Sequence, residues 1–385
     1  MPKLLLADRV KGRHDSFLAP LLPALEQHYE TRFISVGPGE ELAAAIAWAD
    51  VVWLEWCWDH AVWATRVALP AGKPCILRMH SIEALQTSYP SQVDWRRINR
   101  LVTVADDITE TLLAEVPSIA TAVPIQIIAN GIDMDRFRPG LPDRFHVGWV
   151  GHLEPKKNPM LLMQIAHRVH QRNPRFSFHV AGAFTDLRTA RYLTQLQQTL
   201  GLAGVVHFDG QVADMPAWYC DKGVLLSTSM YESFGMNIGE AMAVGAFPVV
   251  HHFPGADRLW PKECIFASMD DAVALIGAAR PSLYRDWVQE HYGLARQVNS
   301  VLTLLQAVLS EPPRTDHAGP VFCSAAYWEQ RYLRGGNSGA GSGGRLAAFK
   351  AETVNCLVAE NAVESVLELG CGDGRQLALA AYTQY

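Results

Sequence analysis

Two glutamates eight positions apart, Glu232 and Glu240, flank a glycine turn in the segment STSMYESFGMNIGEAMAVG, residues 227–245. The preceding run VLLST reads as a strand, and apolar residues at helical spacing begin near Met236. Exposed N–H groups of a first helical turn, reinforced by the helix dipole, form a site for an anion. Gly235 lets the backbone come close to a phosphate. Glu240 lies near enough to the same end to bind the hydroxyls of a neutral polyol such as a ribose. Both glutamates also fit the ordinary role of capping and first-turn acids.

Other constellations occupy comparable positions. Residues 150–158, VGHLEPKKN, run from a strand end through a glycine to Lys156 and Lys157 at the start of a helix. From there a mobile cation can reach a diphosphate held at a neighbouring helix terminus, although one of two adjacent lysines fits a solvated face. His80 follows the strand PCILRM, where the crevice of a doubly wound sheet would lie; a purely local hydrogen bond is the alternative. Arg78 and Glu83 are weaker candidates beside it. The run WLEWCW, residues 53–58, with Trp63 beyond it, places aromatics at another strand end. Trp56 and Trp58 could stack on the apolar faces of sugar rings and Glu55 could bind hydroxyls, or some indoles could be core.

The elements that must position these residues alternate short apolar runs with helical stretches, the pattern of parallel strands with crossover helices. Strands are expected at 3–7, 50–55, 74–79, 101–105 and 125–129, with a helix over 17–28. A second set is expected in HVGWVGHL, FSFHVAG, VVHFDG, GVLLST and FPVVHH, with helices over 159–172 and 189–200. Two doubly wound units follow, 1–140 and 141–310, hinged near RPGLPDR at 138–144. Residues 311–345 contain GGNSGAGSGG and read as a linker. A helix over 346–359, a strand SVLEL and a loop GCGDG then form a partial third segment, 346–385.

These motifs in this order resemble the family 4 retaining glycosyltransferases of GT-B fold, two Rossmann-like domains facing a cleft. The resemblance covers about 1–310 and is strongest over 125–250. It stands on Glu232 and Glu240, on the loop from Gly151 through Lys157 and Asn158, and on Asn130–Gly131–Ile132–Asp133 with Phe137 and Pro139. It implies a nucleotide-sugar donor held mainly by the second domain and a glycan or lipid-linked glycan acceptor held mainly by the first. Lys157 would neutralise the donor diphosphate, Glu240 would bind the ribose, and Glu232 and His80 would sit at the transferred sugar. His152, Lys156, Ser233, Phe234, Gly235, Met236 and Asn237 would complete the donor site; Glu55, Trp56 and Trp58 would face the acceptor. The family usually has arginine where His152 stands, and histidine is shorter and only partly charged at neutral pH. No metal is implied, since no DxD-type acidic cluster follows a strand, and no cofactor beyond the nucleotide-sugar co-substrate.

The motif VLELGCGDG, residues 366–374 with Glu368, resembles the opening of class I S-adenosylmethionine-dependent methyltransferases. That resemblance spans only about 327–385, so S-adenosylmethionine binding would belong to a longer chain. The pairing points towards a methylated glycan such as a bacterial surface polysaccharide. The competing reading is a methyltransferase whose first 310 residues only bind glycan.

Composition sets the class. Of 385 residues, 49% are hydrophobic and 19% charged, which fits folded cores and excludes wholesale disorder. With 33 basic and 39 acidic residues the net charge is −6, no basis for nucleic-acid binding. Seven scattered cysteines with no CxxC fit a reducing compartment. The start MPKLLLADRVKGRHD has too short an apolar run for a leader, so a cytoplasmic location is expected. DWRRINR, residues 94–100, reads as a basic helical face of the kind that can rest on anionic lipid at the inner face of the membrane, or as a solvated face.

Overall fold

The computed structural model describes residues 1–9, 16–312, 344–363, 366 and 379–381. The first half builds one six-stranded sheet from β1 (Lys3–Asp8), β2 (Glu30–Ser35), β3 (Val51–Glu55), β4 (Cys75–Met79), β5 (Arg100–Thr103) and β6 (Ile125–Ile127). Its order is β2-β1-β3-β4-β5-β6, and every pairing is parallel. The second half builds another from β7 (Asp143–Val150), β8 (Ser177–Ala181), β9 (Val206–Gly210), β10 (Lys222–Ser227), β11 (Phe247–His251) and β12 (Ile265–Phe266). Its order is β12-β11-β10-β7-β8-β9, again all parallel.

Central strands are largely apolar because helices cover both faces of a parallel sheet. All five residues of β3 and β4 and all six of β10 are buried. The ten expected strands are present. Two more, β2 and β12, carry weak sequence signals: β2 is an edge strand with mostly part-exposed polar residues, ETRFIS, and β12 has only two residues. The expected helix over 159–172 is Pro159–Arg172. Asn158 takes a left-handed backbone and caps it, accepting from the Leu161 N–H at 3.3 Å, and Pro159 fills the first turn.

Each sheet changes direction once, between β1 and β3 in the first and between β7 and β10 in the second. Loops leaving the carboxyl ends of those strands diverge and open a crevice, the usual place for a ligand in such sheets. The site-bearing loops follow β3, β4, β7 and β10.

Within the expected 141–310 segment, the last helix, Leu294–Ser310, returns to the first half. Val301, Leu304, Leu305 and Val308 pack with Leu4, Leu6, Leu18 and Leu21. The chain crosses where Ile132 bridges Gly293, with the Ile132 N–H donating to the Tyr292 carbonyl at 2.7 Å.

The basic face expected at 94–100 does not form a helix. Trp95–Arg97 is one 3₁₀ turn, Trp95 is buried, Arg96 pairs with Asp94 at 2.8 Å, and Arg100 already belongs to β5 and pairs with Glu311. Among the described residues no helix is long and apolar enough to cross a membrane. The remaining unit, 316–385, contains the described helix Gly344–Glu360. Apart from Val366, the expected strand and GCGDG loop at 365–374 lie outside the described residues.

Candidate active site

A cavity of about 680 Å³ lies at the carboxyl ends of both sheets, lined on the second-sheet side by His152, Lys156, Lys157, Glu240 and residues 232–237. The whole expected donor set therefore lines one space. Trp56, Trp58 and His80 line the same cavity from the first sheet.

Its floor is the turn after β10. Gly235 caps the helix Met236–Val244 with φ +90°, a left-handed conformation that glycine takes without a Cβ penalty. The helix dipole is thereby aimed into the cavity. Gly182, after β8, approaches so closely that a Cβ would lie 1.9 Å from the Gly151 carbonyl oxygen. This packing seats the loop from Gly151 to Asn158 beside the 229–235 turn. The Thr228 hydroxyl donates to the Lys157 carbonyl at 2.8 Å, and the Met230 N–H donates to the Lys156 carbonyl at 2.9 Å.

Lys157 Nζ is ion-paired with Glu232, whose Oε1 also accepts from the Ser229 hydroxyl at 2.7 Å. Glu232 is buried, so the ammonium is its ion-pair partner in a site largely shielded from water. Glu240 Oε2 accepts from the Tyr219 hydroxyl at 3.2 Å. Burial raises the Glu240 pKa, and the Tyr219 hydroxyl and Arg136 offset this only in part. The Asn237 amide donates to the Val150 carbonyl at 3.0 Å and ties the helix start to the end of β7.

On the other wall, His80 begins the helix Ser81–Gln86, and its backbone N–H donates to the Glu83 carboxylate at 3.3 Å. His80 Nε2 donates to Glu55 Oε1 at 2.8 Å. Burial favours its neutral ring against the opposing pull of Glu55. The placement of Glu55 corrects the sequence reading: it does not face the cavity. It is fully buried and accepts from Arg78 at 3.3 Å, from His80 and from the Trp53 indole at 2.9 Å. Burial alone would raise its pKa, but Arg78, His80 and Trp53 more than offset this and hold the carboxyl low. The strand geometry explains it, since β3 and β4 pair in parallel with Glu55 opposite Arg78. Glu83 is also buried rather than facing ligand; burial pushes its carboxyl up to about 8 despite N–H donors from Cys57 and His80.

Arg9, Phe17, Ser81, Gln211, Val212 and Met215 are not among the expected site residues, and all line the cavity. Arg9 follows β1, and Gln211 and Val212 follow β9. Position just beyond a parallel strand's carboxyl end was the available signal. Asn130 lines the cavity too and accepts from Arg78.

The residues from β7 through the Leu283 region also match a known sequence family. Residues 144–283 match the family model described as Glycosyl transferases group 1. A D-inositol 3-phosphate glycosyltransferase of Frankia alni is 30% identical over 182 residues, 42% of this chain and 43% of that one. A lipopolysaccharide core biosynthesis mannosyltransferase of Rhizobium meliloti is 30% identical over 149 residues, 35% of this chain and 42% of that one. The chain thus spans less than half the length of these curated relatives. In three dimensions it resembles Anabaena HepE in complex with UDP, with TM-score 0.63 and 17% identity over 79% of this chain and all of that one. Sucrose-phosphate synthase of Thermosynechococcus elongatus gives TM-score 0.61 and 15% identity over 80% of this chain and all of that one. The segment that matches the family model therefore sits in a two-domain, GT-B-like α/β fold, and Lys157, Glu232 and Glu240 all lie within that segment.

Proposed function

We propose that this chain moves a sugar from a nucleotide-diphosphate sugar to a glycan or lipid-linked glycan acceptor, with retention of anomeric configuration. The observation carrying this reading is the convergence of Lys157, Glu232, Glu240 and one helix N-terminus on a single cavity. Fold likeness alone would not support it, because one fold hosts many activities. Breaking the bond between the anomeric carbon and the diphosphate leaves negative charge on the departing oxygen. Lys157 and the helix that starts at Met236 supply positive potential there, worth most in a site shielded from water. In this reading they take the part a divalent ion plays elsewhere.

Glu240, held by Tyr219, receives the ribose hydroxyls. Glu232 and His80 meet the sugar from opposite walls, and the backbone of 233–237 holds sugar and phosphate. His152 and Lys156 add cationic groups near the diphosphate. The likeness to a lipopolysaccharide core biosynthesis mannosyltransferase supports a role in bacterial surface polysaccharide synthesis.

Calorimetric titration with UDP, GDP, ADP and CMP, followed by assay of the matching nucleotide sugars, tests the reading. One nucleoside diphosphate should bind selectively and stabilise the fold. Absence of binding by UDP, GDP and ADP, or binding of CMP alone, would reject it.

A further inference from the structure

The first sheet changes direction between β1 and β3, and the loops leaving those strands bring three aromatic side chains to the cavity: Phe17, Trp56 and Trp58. Together with His80 they form one continuous wall. The Trp56 ring lies 4.2 Å from His80 and 6.3 Å from Trp58, and Phe17 lies 4.9 Å from His80.

Trp56 holds its place at a cost. Its φ is +72°, a left-handed conformation that a bulky L-residue seldom adopts. Its N–H nevertheless keeps a hydrogen bond to the Arg78 carbonyl at 3.0 Å. The chain turns sharply at this point: Glu55 is directed inward to Arg78, and the next side chain lines the cavity. Strain of this kind persists where the surroundings over-determine it, commonly at ligand sites.

The wall is also electrically quiet. Glu55 and Glu83 are buried away from the cavity, and Arg9, the cation among the described first-half lining residues, pairs with Asp59 at 3.1 Å.

We propose that this wall is a subsite for an uncharged pyranose ring, the acceptor's reacting unit, stacked through its C–H face on Trp56. It rests on the glycosyltransferase reading above and specifies the acceptor class within it. The chemistry differs from that in the names of the inositol phosphate relatives, which specify a phosphorylated polyol. A phosphate would call for unpaired cations, whereas aromatic faces complement the apolar face of a neutral sugar.

The test uses the full chain saturated with UDP and titrated with methyl β-D-galactopyranoside, methyl β-D-glucopyranoside or myo-inositol 3-phosphate, followed by saturation-transfer NMR. At least one neutral glycoside should bind through its ring C–H protons. Trp56→Gly should weaken that binding about fivefold or more, and Trp56→Phe should restore most of it. Glycine accepts the left-handed backbone freely, which offsets part of the packing lost with the indole, so Trp56→Gly should stay folded, as a thermal melt would show. Trp58→Ala, at an ordinary backbone conformation, gives a second route to the same loss. UDP affinity should stay constant throughout. Glycoside affinity unchanged by Trp56→Gly and Trp58→Ala, no glycoside binding, or binding of myo-inositol 3-phosphate alone would overturn the proposal while leaving the nucleotide-sugar reading intact. Failure of the wild-type chain to bind any nucleoside diphosphate would instead remove that reading, and this inference with it.

Discussion

Ser81 and Ser233, 152 residues apart in the chain, meet across the cleft with their hydroxyl oxygens 2.5 Å apart. The Ser81 N–H also donates to Ser233 Oγ at 3.0 Å. Two further links join the same halves: the Tyr231 hydroxyl donates to Asp107 at 2.5 Å, and Arg258 pairs with Glu110 at 2.9 Å. The cavity-lining turn at residues 229–235 is therefore fastened to the first sheet's half at both Ser233 and Tyr231.

The serine pair should behave as a coupled unit. Ser81→Ala and Ser233→Ala, alone and combined in a double-mutant cycle, are expected to show a coupling of about 0.5–1.5 kcal/mol, the net value of a part-buried hydrogen bond. Urea denaturation measures it, and strict additivity would show that the contact contributes nothing.

Lys157→Ala should lower sugar transfer by about 100-fold or more, because its contact strengthens as charge develops on the leaving group. It also strips Glu232 of its counter-ion, so a loss of thermal midpoint should accompany the kinetic effect. Steady-state assay of the purified variant beside a thermal melt reads both. Near-normal turnover would move the role to Lys156 or His152.

The two glutamates should separate. Glu240→Ala should mainly weaken nucleotide affinity, since ribose hydroxyls are remote from the breaking bond. Glu232→Ala should reduce turnover more than nucleotide affinity. Calorimetry paired with transfer rates distinguishes these, and the reverse pattern would exchange the assignments.

Glu83 should leave a signature in the pH dependence of stability. Its folded pKa, about 8, exceeds the ordinary value of 4.5, so the folded state holds the proton more tightly. That contribution is full below about pH 4.5 and is lost as pH rises through about 8. Glu83→Gln removes the titration, and the gap in thermal midpoint between wild type and variant should narrow from pH 5 to pH 8. A constant gap across that range would show that Glu83 ionises normally.

Much of this molecule was legible in local sequence. Runs such as KLLLA and VLLST mark strands because buried parallel strands are apolar on both faces, and the 3.6-residue apolar spacing of 159–172 marks a helix whose start Asn158 and Pro159 announce. The spacing of Glu232 and Glu240 about Gly235 placed one glutamate in the turn and the other in the helix, so their shared cavity followed from the chain itself. What tertiary structure decided was which way side chains point and what they meet. Glu55 looked like a ligand for hydroxyls, yet the register of β3 against β4 sets it opposite Arg78, and burial then demands that pairing. Residues 94–100 have the arginines of a basic helix, but Trp95 is drawn into the core and Arg100 into a strand. The return of Leu294–Ser310 to the first half, the meeting of Ser81 with Ser233 and the arrival of Phe17 beside His80 depend on contacts between residues far apart in the chain. Periodicity reports only which face of an element is apolar; the partner that covers it is chosen by the packing of the whole fold.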